Sequence, residues 1–67
     1  MTEPTTELLH EINAPYARRL RIKNVSHDSG MNMIQLEIKE GHRFTMVDLD
    51  PASATELKNQ LEAWLEK

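Results

Sequence analysis

Between Arg43 and Lys67 an apolar-rich run, Phe44-Thr45-Met46-Val47-Asp48-Leu49, stops at Asp50-Pro51 and gives way to a pattern of helical period. This sets a strand-to-helix junction. Asp50 is placed to cap the first turn, and Pro51 suits the first helical position, where its missing N–H costs nothing. Ser53 and Glu56, at capping-box spacing, offer a second start. Beyond them Ala54, Leu57, Leu61, Trp64 and Leu65 fall on one stripe, with Lys58, Asn59, Glu62 and Glu66 outside it. The helix has one apolar face, and the inner face of a sheet is its natural target.

Upstream the period is two. Leu20 and Ile22 alternate with Arg19, Arg21 and Lys23, and Ile34, Leu36 and Ile38 alternate with Gln35, Glu37 and Lys39, as in strands with one buried face. Asp28-Ser29-Gly30 suits a three-residue hairpin loop with glycine in the left-handed position. Closing that loop at His27 opposite Met31 pairs Ile22 with Leu36 and Leu20 with Ile38, and on the other face Arg21 with Glu37 and Lys23 with Gln35. A slip of one residue sets Ile34, Leu36 and Ile38 against Val25, Lys23 and Arg21, so turn chemistry and side-chain pattern select the same register. Glu40-Gly41-His42-Arg43 then suits a two-residue loop with glycine in the first central position. It pairs Thr45, Val47 and Leu49 with Ile38, Leu36 and Ile34 on the inner face.

The N-terminal part reads differently. Residues 1–6 are expected to be a flexible tail, and Leu8, Leu9 and Ile12 lie at helical spacing before Pro15, which predicts a short helical turn acting as a flap over the core. The expected fold class is therefore α+β: a three-stranded antiparallel meander with a C-terminal helix packed on one face (β-β-β-α), in a single domain over 7–67.

A chain of 67 residues hides only about 60% of its unfolded surface on folding. It has no cysteine, hence no disulfide staple, thiolate zinc site or thiol nucleophile. A second copy is the usual remedy. The net charge of −3 argues against a general nucleic-acid or membrane-surface binder. The acidic first residues lack the charged and apolar regions of a secretory signal, and no apolar run nears the roughly 20 residues that cross a bilayer, so the expected setting is the cytoplasm.

With the helix on the inner face, the outer face keeps Val25, Met33, Phe44 and Met46 among charged neighbours. An apolar patch rimmed by charge marks an association surface, so these four residues are the candidate interface of a homodimer or of a protein partner. The bland alternatives are that Met33, Phe44 and Met46 are ordinary exposed apolar residues, which are common, or that the N-terminal segment covers them. Arg18, Arg19, Arg21 and Lys23 hold half of the eight positive charges and are the candidate anion-binding group for phosphate or nucleic acid. Their cross-strand pairing with acidic neighbours is the plainer reading.

Other constellations carry less. Asp48 and Asp50 form a D-x-D pair that could hold a metal, but Asp50 is accounted for as a cap. His10, His27 and His42 show no metal-ligand spacing, and His27-Asp28-Ser29 are neighbours in a tight turn whose side chains diverge, so they cannot act as a relay. No catalytic residue, cofactor site or metal site is assigned.

Pro15-Tyr16, the turn over 27–31 and the run Arg43 to Pro51 together resemble a family of short bacterial proteins of unknown function, over Pro15 to about Trp64. The resemblance implies a bacterial, cytosolic protein and brings no family site with it. The expected function is that of a small non-enzymatic interaction protein, homodimeric, presenting a sheet face or strand edge. The rival is an anion-binding module built on residues 18–23.

Overall fold

The computed structural model describes residues 5–67. Four strands, β1 (Thr5–Ala14), β2 (Arg18–Ser26), β3 (Asn32–Glu40) and β4 (Arg43–Leu49), form an antiparallel sheet in chain order, followed by helix α1 (Pro51–Leu65). The class is α+β as expected, but the sheet has four strands rather than three. The segment expected to be a helical turn is the edge strand β1, and of the expected tail, Thr5 and Thr6 already belong to that strand while residues 1–4 lie outside the described residues.

The physical reason lies in a bulge. Leu8 stands opposite Lys23 and His10 opposite Ile22, so Leu9 is an extra residue in the ladder. An inserted residue breaks the period of two and flips the side chains on either side of it relative to one another. Leu8, Leu9 and Ile12 thereby take on helical spacing in the sequence while lying in extended chain.

The two inner hairpins keep the expected register. Leu20 pairs with Ile38, Ile22 with Leu36 and Arg21 with Glu37, while Leu36 pairs with Val47 and Ile34 with Leu49. Gly30 (φ 85°) and Gly41 (φ 60°) take the left-handed conformation their turns require. His27 closes the first turn, its N–H donating to Met31 O at 2.9 Å and its carbonyl accepting from Gly30 N at 3.0 Å. The β1–β2 turn has no glycine: Tyr16 (φ 64°) and Ala17 (φ 59°) both occupy the left-handed region, which side chains disfavour. Asp50 caps α1 by accepting from Ser53 N at 2.8 Å, with Pro51 in the first turn; the start at Ser53 is not used.

The helix lies against β3 and β4 only. A four-stranded sheet is about 19 Å wide at about 4.8 Å per strand. One helix is about 10 Å across, so it covers about half of that width. The helix itself is loosely seated: none of its residues is buried, and exposure along its stripe rises from 41% at Leu57 through 53% at Leu61 to 66% at Trp64, expected in the core. Inner-face residues Leu20, Ile22, Ile34 and Leu36 are only half-buried. The molecule measures 44 × 30 × 16 Å and exposes 5714 Å². A compact protein of its mass exposes about 4,400 Å², roughly 1,300 Å² less.

Candidate functional site

The two sheet faces differ in chemistry. On the outer face, Arg19, Arg21, Lys23, Glu37, Lys39 and Glu11 form a lattice of charge set by strand register. Glu11 stands directly across from Arg21 and meets it at 2.8 Å, with Arg19 at 3.7 Å. Lys23 reaches diagonally to Glu37 at 2.7 Å, and Arg18 meets Glu40 at 2.6 Å at the sheet's end. All four candidate anion-binding cations thus contact a carboxylate. Gln35 Nε2 donates to Asp48 at 3.1 Å, which accounts for Asp48 as a cross-strand partner.

Glu37 sits at the middle of this face and is buried, at 6% exposure. The Lys23 ammonium close against it holds its carboxyl below the ordinary value of 4.5, helped by the charges of Arg21 and Lys39 and opposed by partial burial. Glu11 is lowered from 4.5 in the same way, first by its hydrogen bond from Arg21 and then, against some desolvation, by the charges of Arg19 and Arg21.

The structure splits the candidate interface into two pairs. Val25, opposite Met33, is buried at 7% exposure beside the unexpected strand β1, and Met33 is half-buried. Phe44 and Met46 are each 56% exposed, and Phe44 lies under the Lys39 ammonium at 5.6 Å. Met46 stands opposite Glu37, four residues along β3 from Met33, which is about 13 Å of strand. Charged residues occupy the space between.

The inner face holds the larger concave surface. Between α1 and the sheet runs an open groove of about 290 Å³. Its floor draws on all four strands, Ile12 of β1, Leu20 and Ile22 of β2, Ile34 and Leu36 of β3 and Leu49 of β4, and Ala54, Leu57, Lys58 and Leu61 form its helical wall. Its lining is aliphatic apart from Lys58. Sequence patterning marks Leu20, Ile22, Leu57 and Leu61 as core-facing, but it places Lys58 off the helix stripe and Ile12 in a helical flap, and it does not show that the sheet is wider than the helix. The missing signal is β1, which adds Ile12 and the width together.

The histidines remain apart: His10 is on β1 opposite Ile22, His27 at the β2–β3 turn and His42 in the β3–β4 turn. Among the described residues, no group of three or more His, Asp or Glu side chains is placed to hold a metal ion. None of the described helices is long and apolar enough to cross a membrane.

Fold and faces together define a small α+β protein whose four-stranded meander carries one charge-paired face and one open apolar face. The chain belongs to the family of unknown function DUF6967, whose model matches residues 3–67. No curated protein and no solved structure matches it.

Proposed function

We propose that this protein is a non-enzymatic interaction module that binds a protein partner through the apolar groove between α1 and the inner face of its sheet. The observation that carries the reading is the exposure of the groove's aliphatic walls, with Ile12 at 41%, Leu57 at 41% and Leu61 at 53%. An exposed contiguous apolar surface of this kind marks a contact site. Its composition favours the burial of another apolar surface over chemistry on a polar substrate. On the resemblance to short bacterial proteins we place it in a bacterial cytosol.

Anion binding through Arg18, Arg19, Arg21 and Lys23 is the weaker reading, because a phosphate would have to displace a carboxylate from each cation. The outer-face patch is weaker too, since its two apolar pairs are separated by charge.

The test is affinity capture from native lysate with the wild type, Leu57→Glu in the groove and Phe44→Glu on the outer face. Partners retained by the wild type and by Phe44→Glu but lost from Leu57→Glu are expected. Loss confined to Phe44→Glu would move the contact to the outer face and overturn the proposal.

A further inference from the structure

The groove poses a problem of coverage that the chain cannot solve alone. One helix of about 10 Å faces a sheet of about 19 Å, and α1 comes close only to β3 and β4. The molecule as a whole exposes roughly 1,300 Å² more than a compact protein of its mass, spread over a flat fold. A standard interface takes about 800 Å² from each partner. The helix-bearing face offers toward it Ile12, Leu57, Leu61, Trp64 and Leu65, from 41% to 71% exposed.

The shape of that face indicates what fills it. The helix carries one apolar stripe, and its outer members, Leu61, Trp64 and Leu65, are 53%, 66% and 71% exposed. The sheet offers an apolar strip in which Ile12 is 41% exposed and Leu20 and Ile22 are half-buried. Each copy therefore has a part-exposed helix stripe and a part-exposed sheet strip, and a two-fold arrangement matches them reciprocally.

We infer that a second copy of this chain occupies the groove, the stripe Leu57, Leu61, Trp64 and Leu65 of each copy packing on Ile12, Leu20 and Ile22 of the other. The inference rests on the groove being the contact surface, and it names the partner. Contact runs through the helix-bearing face, while the outer face with Phe44 and Met46 stays in solvent.

Trp64 is the only tryptophan, which puts an intrinsic probe on the inferred interface. Light scattering from low micromolar to near-millimolar concentration should give twice the chain mass of 7.8 kDa. Over the dilution range where that mass halves, Trp64 emission should shift to the red and its quenching by acrylamide should rise. Leu61→Glu should weaken association by at least about tenfold, while Phe44→Glu leaves it unchanged.

A wild type with the mass of one chain at every concentration overturns the inference, as does a dimer whose Trp64 is quenched as freely as in the monomer. Should Leu61→Glu fail to fold, the wild-type quenching series decides by itself. The two proposals separate cleanly. A monomeric wild type whose lysate partner is lost on Leu57→Glu keeps the interaction function and removes only the second copy. Capture that is indifferent to Leu57→Glu removes the function as well.

Discussion

Tyr16 and Ala17 show how a single residue type can conflict with its backbone. Both are L-residues in the left-handed region, at a turn where Gly30 and Gly41 show what the other two turns use instead. Left-handed backbone costs a non-glycine residue about 1–2 kcal/mol, against about 0.5–1 kcal/mol of extra chain entropy lost by glycine. Ala17→Gly should therefore stabilise the fold by about 0.5–1 kcal/mol, seen as a Tm raised by about 4 °C in a thermal melt. A lowered Tm would show that the turn is not strained. Asp50 illustrates agreement instead. Ser53, through its hydroxyl and then its backbone N–H, holds the Asp50 carboxyl below its ordinary 3.8, as a capping carboxylate requires.

At the scale of elements, the outer face of the sheet is tied together by carboxylates drawn from different strands. Glu11 on β1 and Glu37 on β3 both have folded values below the ordinary 4.5. A lowered carboxylate contributes stability that is complete above its unfolded value and is lost as pH falls through the folded one. Tm should hold level from neutral pH to about pH 5 and then fall toward about pH 3, with a smaller drop in high salt. A Tm that is constant down to about pH 3 would remove these pairs as a source of stability. The same scale shows what could be read in the sequence. The β2–β3 and β3–β4 registers were legible because a turn and an alternating pattern each specified them independently, and the helix start was legible because Asp50-Pro51 is local chemistry. The nature of β1 was not, because Leu9 breaks its alternation and the turn that joins it to β2 has no glycine, placing Tyr16 and Ala17 in the left-handed region instead. The groove followed β1 into obscurity: Ile12 could be recognised as apolar, but its place on the groove floor depends on the width of the assembled sheet.

For the whole molecule, the shortage of buried side chains is the governing fact. Among the described residues only Val25 is a buried hydrophobic side chain, and none is fully enclosed. A fold whose apolar face is completed by association gains stability by mass action, so its apparent Tm should rise with protein concentration. Calorimetry across a hundredfold concentration range checks this, and a Tm independent of concentration contradicts a stabilising dimer.

The strand order β1-β2-β3-β4 also has a bearing on time. Every ladder joins neighbours in the chain across a tight turn, so no long loop has to close before a strand finds its place, and such local topologies assemble quickly. The sheet can zip up hairpin by hairpin, whereas the inferred docking of a second copy on its apolar side is a diffusional encounter whose rate depends on how much of the protein the cell makes. Expression level would then govern how long each newly made molecule remains sticky.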